Sequence, residues 1–339
     1  MSPEFSPSPP VAGRGPGVAD ALSVVVPFYN EADVLPAFHA RLTDVLGMLD
    51  MPTEIIYVDD GSRDASAAII HALGAADPRV RVIRLSRNFG KEAAMLAGLD
   101  ASRGAAIVLI DADLQDPPEL IPAMIEAWRA GADQVEMRRT RRDGESWLKR
   151  ASAFAFYRLM DRVRGVDMSP DVGDFRLMSR PVVTALTGLR ERTRFTKGLY
   201  AWVGFRRVQI DYRRDGRHAG RTKWSYPRLV GLAVEAITSF TVAPLRAASV
   251  LGITVSAASF VYGSVVVVKT LLLGDPVAGY SSLMAVISFM GGVQLLCIGV
   301  LGEYVGRMFV ESKQRPLYVV ECASEAHGEA IDDRSGAQP

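Results

Sequence analysis

The chain has 339 residues, a formal net charge of +1, two cysteines and four histidines. The near-neutral balance excludes a strongly basic nucleic-acid binder on global grounds, and the sparse, scattered Cys and His exclude a disulfide framework or a spaced zinc site. Hydrophobic residues make up 49%, a high share for a purely soluble protein, and they collect after residue 230, so one large domain with an apolar appendage is expected.

Residues 1–21 are rich in Pro, Gly and Ser and contain no apolar run. They read as a disordered lead, neither a signal peptide nor a span, which keeps the following domain in the cytoplasm. Residues 22–27 (LSVVVP) form a short β-branched run suited to a strand buried on both faces. A helix-period stretch follows over 33–50, then a strand over 54–58 that runs into Asp59-Asp60-Gly61-Ser62. A helix over 65–73, a strand over 80–85, an Ala- and Leu-rich helix over 91–102 and a buried strand over 105–110 continue the alternation. Strands alternating with helices of this length predict a parallel, doubly wound sheet with its ligand site at the carboxyl ends of the strands. The polar sequences 28–31, 59–62 and 111–113 fall there. From 131 to 226 the pattern mixes, with Arg-rich stretches at 138–150 and 206–228, and irregular structure folded over the sheet as the acceptor side is expected.

Two segments, 247–268 and 281–302, each run 22 residues without a charge. At 1.5 Å per residue each reaches about 33 Å, enough to cross a hydrocarbon core of roughly 30 Å. Basic residues crowd 206–228 and recur at Arg246, then at Arg307, Lys313 and Arg315, whereas the loop 274–280 has no Lys or Arg. The positive-inside rule therefore predicts a multi-pass hairpin, with helices at about 247–270 and 281–303, and both termini cytoplasmic. Residues 227–246 read as a juxtamembrane amphipathic helix and 307–339 as a cytoplasmic tail. A hairpin of this kind can associate with copies of itself, which allows a homo-oligomer.

Asp111 and Asp113, one residue apart just past a buried strand, are placed to share a divalent cation. A hard cation such as Mg²⁺ or Mn²⁺ takes oxygen ligands and keeps diphosphate oxygens in its shell, so it would neutralise charge on a departing nucleoside diphosphate. Gln115 and Asp116 follow, and Pro117-Pro118 stiffens the loop exit. Taken alone, two acids at this spacing are common in loops. Asp59 and Asp60 end the second strand; Ser62 or Asp64 suffices to cap the next helix, leaving one acid to accept from a ribose or a base N–H. Lys91 reads either as a nucleotide-side cation or as an exposed lysine at a helix start.

The ordered set Pro27-Phe28-Tyr29-Asn30-Glu31, Asp59-Asp60-Gly61-Ser62-Arg63-Asp64, Arg87-Asn88-Phe89-Gly90-Lys91-Glu92, Asp111-Ala112-Asp113-Leu114-Gln115-Asp116-Pro117-Pro118-Glu119 and Gly173-Asp174-Phe175-Arg176-Leu177-Met178 closely resembles family 2 inverting glycosyltransferases. More narrowly it looks like polyprenyl-phosphate hexosyltransferases, a group that includes bactoprenol glucosyltransferases and dolichol-phosphate mannose synthases. The resemblance covers about 22–315, hairpin included. It implies a GT-A, Rossmann-like, mostly parallel α/β catalytic domain over 22–226 followed by a two-helix transmembrane hairpin. It implies a bacterial plasma-membrane enzyme moving a hexose, glucose from UDP-glucose first, onto polyprenyl phosphate, with GDP-mannose or another nucleotide sugar as the alternative donor. By the same resemblance Pro27, Tyr29, Glu31 and Asp60 line the nucleoside pocket, and Asp111, Asp113 and Gln115 bind metal and diphosphate. Asp174 matches the residue assigned as base, with Arg176 beside it. Arg139 and Arg142 match a basic pair near the acceptor phosphate, and Arg217, Gly220, Thr222 and Lys223 match a membrane-proximal phosphate turn, with Trp224 where Tyr is common.

A monoalkyl phosphate has a second pKa of about 6 and is largely ionised at neutral pH, so Asp174 reads as an orienting group or a weak base. Arginine forks hold phosphate bidentately, which suits the basic positions. A dinucleotide-dependent oxidoreductase would need a G-x-G-x-x-G turn after the first strand, and Pro27-Phe28-Tyr29-Asn30-Glu31 stands there instead. A processive polysaccharide synthase would carry a Q-x-x-R-W motif and more spans. A catalytically silent scaffold is opposed by the intact Asp111, Asp113 and Asp174.

Overall fold

A computed structural model of the chain describes residues 20–139, 172–192, 196–212, 243–273 and 279–323. The predicted alternation is present. Strand β1 (Leu22–Phe28) leads to α1 (Leu35–Gly47), β2 (Thr53–Asp59), α2 (Ser66–Ala76), β3 (Val80–Leu85), α3 (Lys91–Ala101) and β4 (Ala106–Leu109). A single 3₁₀ turn and α4 (Ile121–Arg129) follow. Strands β1 to β4 pair in parallel, in the order β4-β1-β2-β3, the arrangement expected when right-handed crossovers wind helices over both faces.

Alternation along the strands builds the two cores. Val24, Val26 and Tyr57 face one side and meet Phe38 and Leu42 of α1, Ile70 of α2 and Met124 of α4. Val25, Ile56 and Val58 face the other and meet Met95 and Leu99 of α3. Because both faces are covered, the middles of the central strands carry unbroken apolar runs rather than an alternation, and Val24, Val25 and Val26 are all fully buried.

The segment 131–226 departs from the expectation of irregular structure. Its described residues hold β5 (Gln134–Arg139), β6 (Val172–Ser179), α5 (Arg180–Gly188), α6 (Thr196–Trp202) and β7 (Arg207–Tyr212). These strands extend the sheet rather than fold over it: β6 runs antiparallel to β4 and to β5, and β7 parallel to β5. Their polarity hid them. Gln134 and Glu136 of β5 and Arg176 of β6 are nearly inaccessible, and Arg176 lies 3.5 Å from Glu136, so charges that would mark a loop neutralise each other inside the sheet.

After β7, the next described elements are α7 (Ala243–Leu273) and α8 (Tyr280–Ser312), which form the C-terminal hairpin. Both run beyond the predicted spans at both ends. Of the proposed amphipathic segment 227–246, only 243–246 are described, and they belong to α7. The lead 1–19, the Arg-rich stretch 140–171 and the turn 213–242 lie outside the described residues. The tail also differs from expectation: β8 (Val320–Ala323) pairs antiparallel with β3 and completes an eight-stranded sheet. Ser86 N–H donates to Val319 O at 2.9 Å, Arg84 pairs with Glu321 at 3.2 Å, and the Tyr318 hydroxyl donates to Asp100.

Helix α3 is seated on β1 and β2 through Gly98, where an added Cβ would fall inside van der Waals contact of Val25 and 3.1 Å from a Val58 methyl. Both neighbours are β-branched and stiff at χ1, so neither yields cheaply. Gly98→Ala is expected to lower stability by about 2 kcal/mol, read as a lowered midpoint of thermal unfolding.

Candidate functional site

The loops at the carboxyl ends of β1, β2, β3 and β4 interlock. Beyond β1, Asn30 takes a left-handed backbone (φ 54°), and its side-chain oxygen accepts from Arg63 N–H at 2.8 Å. Asn30 and Glu31 N–H groups donate to the hydroxyls of Ser62 and Ser66 at 3.0 and 2.9 Å. Beyond β2, Asp59 accepts from Ser62 N–H at 2.7 Å and lies 3.7 Å from Arg84, and it is 1% exposed. Asp59, expected on the nucleotide side, is therefore committed to its own turn. Gly61 (φ +70°) follows, where any Cβ would sit 2.6 Å from the Arg87 backbone; only glycine fits.

Asp60 does two things. It lines the cleft, and its carboxylate accepts from Phe89 and Gly90 N–H at 2.7 and 3.0 Å, fixing the chain where α3 begins. Burial raises its carboxyl above the ordinary range, against the pull of those two N–H groups. Glu92, on the other side of Lys91, accepts from the Thr196 N–H at 3.0 Å and from its hydroxyl, tying α3 to α6.

These loops surround a cleft of about 320 Å³ whose lining includes Pro27, Tyr29, Glu31, Asp60, Lys91, Asp111 and Asp113. The sequence expectation brought those residues together, and so does the fold. The strand leading to the acid pair ends at Leu109, so Asp111 and Asp113 stand on a turn and not on the strand itself. Asp113 Oδ1 accepts from Gln115 N–H at 3.1 Å across Leu114, whose φ of 58° is left-handed without glycine. Strain of that kind persists where surrounding structure enforces it. Gln115 is buried, and its carboxamide nitrogen has no hydrogen-bond partner.

Across the cleft, Asp174 projects from β6. Lys91 Nζ donates to Asp111 at 2.7 Å and to Asp174 at 2.6 Å. Burial alone would lower the lysine's pKa, but the two carboxylates outweigh it and hold the ammonium above the usual lysine range. Burial pushes Asp174 up, while Lys91, Lys197 and Arg176 more than compensate and hold it below the ordinary carboxylate value. Lys91 was the least distinctive of the sequence candidates, yet it occupies the centre.

Arg176 shares the face of β6 with Asp174 but sits behind it, 2% exposed. It donates to Gly173 O at 3.0 Å and lies over the Tyr200 ring at 3.5 Å. It acts on the cleft through its field rather than by contact. Arg139 is half-buried, donates to the Tyr212 hydroxyl at 3.3 Å and lies 3.9 Å from Asp116, which itself accepts from Tyr212. Its guanidinium also crowds Gly173, where an added Cβ would be 2.7 Å from it. Arg142, Arg217 and Lys223 lie outside the described residues. Lys197, at the start of α6, was missed by the sequence reading; it shares the field of Asp174 with Arg139 and Arg176, and no periodicity or motif marks it.

The donor set tests the metal expectation. Among the described residues no three His, Cys, Asp or Glu converge to hold an ion alone. Asp111 and Asp113 both line the cleft and offer two carboxylates, and the buried Gln115 keeps a carboxamide nitrogen without a hydrogen-bond partner just beyond them in sequence. That arrangement fits a hard cation whose remaining ligands come from a diphosphate.

A parallel Rossmann-like sheet, an acid pair past β4 and a facing Asp on β6 define a GT-A glycosyltransferase. Comparison with known proteins agrees: residues 23–187 match Glycosyl transferase family 2, and residues 243–308 match the GtrB C-terminal hairpin. The chain belongs to glycosyl transferase family 2. It is 47% identical over 299 residues to an uncharacterized glycosyltransferase of Synechocystis sp., covering 88% of this chain and 94% of that protein. It is 45% identical over 300 residues to the bactoprenol glucosyl transferase of Shigella phage SfV, covering 88% and 98%. Among solved structures, glucosyl-3-phosphoglycerate synthase from Mycobacterium tuberculosis is similar over 65% of this chain and 78% of its own, at 22% identity and a TM-score of 0.46.

Removing one charge of the buried Glu136–Arg176 pair leaves the other uncompensated. Glu136→Gln is expected to cost about 3 kcal/mol of stability, measured as a shifted denaturation midpoint of the purified chain.

Proposed function

We propose that this chain transfers a hexose, in the first place glucose from UDP-glucose, to polyprenyl phosphate at the cytoplasmic face of a bacterial plasma membrane, inverting the anomeric centre. The observation that carries this reading is the meeting of two strand-end acid sites, Asp111 and Asp174, across one cleft on a single ammonium. Identity to bactoprenol glucosyl transferases that continues through the hairpin supports the choice of sugar and acceptor.

In this reading Pro27, Tyr29, Glu31 and Asp60 receive the nucleoside, and Asp111, Asp113 and Gln115 face the diphosphate. Mg²⁺ or Mn²⁺ held there would neutralise charge building on the leaving nucleoside diphosphate. Asp174, kept ionised by its cationic neighbours, orients the attacking phosphate on the opposite face of the sugar through the cations that the two anions share. That phosphate is already largely ionised at neutral pH, so strong base catalysis is not required. Arg139, beside Gly173 and Asp174, offers a guanidinium fork to the acceptor, and Arg142, Arg217 and Lys223 join it by family resemblance. Arg176 positions Asp174 from behind.

The hairpin supports a membrane setting. Residues Phe289–Ser312 form a helix long and apolar enough to span, with none of it buried in the protein. Large apolar side chains such as Phe260, Leu295 and Met308 are 70–78% exposed along α7 and α8, a surface that water does not tolerate and lipid does. The charge asymmetry of the flanking sequences supports a two-span topology with both termini cytoplasmic.

Reconstituted with polyprenyl phosphate and Mg²⁺, the full chain is expected to label lipid from UDP-glucose and not from GDP-mannose or UDP-GlcNAc. Label from GDP-mannose alone would reassign the donor, and label from none would refute the reading. In the same assay Asp113→Ala is expected to reduce transfer on the order of a hundredfold or more.

A further inference from the structure

Lys91 stands where the reaction has to happen. If Asp111 belongs to the donor side and Asp174 to the acceptor side, the reacting carbon must lie between them, yet the Lys91 ammonium fills that gap with contacts of 2.7 and 2.6 Å. The backbone around it is pinned. Asp60 holds the Phe89 and Gly90 N–H groups on one side, and Glu92 holds Thr196 on the other. With its backbone neighbours held, any rearrangement falls to the Lys91 side chain, which at 44% exposure solvent reaches. An ammonium on a four-carbon stem is a compact charge that can change partners without a fixed geometry, unlike an arginine fork.

We propose that Lys91 exchanges partners when donor binds: it leaves Asp174 for an oxygen of the donor's diphosphate, so that the Asp111–Lys91–Asp174 cross-link is a resting closure of the acceptor side that the donor itself opens. The proposal rests on the nucleotide-sugar reading above. Asp174 gives up its nearest cation in the exchange but keeps the fields of Lys197 and Arg176. A diphosphate oxygen that the metal leaves uncoordinated is a charged acceptor for the ammonium, as the carboxylate was. Since Asp174 then competes with the diphosphate for one cation, donor and acceptor sides are coupled before any chemistry occurs, and the order of binding is donor first.

Binding of UDP or GDP to the full-length chain in detergent, with Mg²⁺ and no acceptor, separates the possibilities. Lys91→Met is expected to weaken nucleotide binding about tenfold or more, because a charge-assisted contact is lost. Asp174→Asn is expected to tighten it about threefold to tenfold, because the competitor for Lys91 is gone. In the Lys91→Met background the Asp174→Asn gain is expected to vanish. Tightening that persists in that background would mean that Asp174 only repels the nucleotide, and unchanged or weaker binding by Asp174→Asn would mean that there is no competition; either overturns the proposal. Wild-type chain that bound neither nucleotide would overturn the nucleotide-sugar reading, and the exchange with it.

Discussion

The bridge from Lys91 to Asp111 and Asp174 is the constraint on which the rest of the site depends. Two carboxylates that both approach one ammonium to within hydrogen-bonding distance repel each other unless that charge remains between them. Asp111 comes from the turn past β4 and Asp174 from β6, which is antiparallel to β4, so the bridge also ties the parallel half of the sheet to the extended half. Asp116 makes a second tie through Tyr212 and Arg139. The loop that carries Asp111 and Asp116 is thus tied at two points to the strands that carry Arg139, Asp174 and Tyr212.

The support for that bridge is made of side chain to backbone contacts between motifs far apart in sequence. Ser62 and Ser66 receive N–H groups from 30–31, and Asp60 receives those of 89–90. This explains why so many acids and hydroxyls cluster at strand ends. Some, such as Asp59, serve the loops alone, and others, such as Asp60, serve loop and cleft together. Preorganisation of this kind keeps functional groups in place at little entropic cost on binding.

Much of this was legible in the sequence where the physics is local. The runs at 22–27, 54–58 and 105–110 have centres buried on both faces, and such strands announce themselves by consecutive apolar residues. The polar turns that follow them could be placed at one end of the sheet for the same reason. What was not legible depends on partners distant in sequence. β5 and β6 carry Glu136 and Arg176, whose charges read as a surface until each is seen to cancel the other. Asp59 and Asp60 look equivalent in sequence and differ only in which N–H groups meet them. Lys91 at a helix start resembles any solvated lysine, and Lys197 has no pattern around it at all. The short β8 has no core-facing signature either, because all four of its residues remain exposed and its pairing is by backbone.

That last strand changes how the polypeptide must come to its native state. β3 would otherwise end the sheet with an open row of N–H and C=O groups, a surface prone to pairing with other chains. The residues that cover it are synthesised after the whole of the hairpin. During synthesis the catalytic domain therefore emerges with a bare margin, and it acquires its final hydrogen bonds only once both long helices have been made. Completion of the sheet is thereby tied to completion of the anchor, and a fragment cut before α7 would keep its core but carry an adhesive edge.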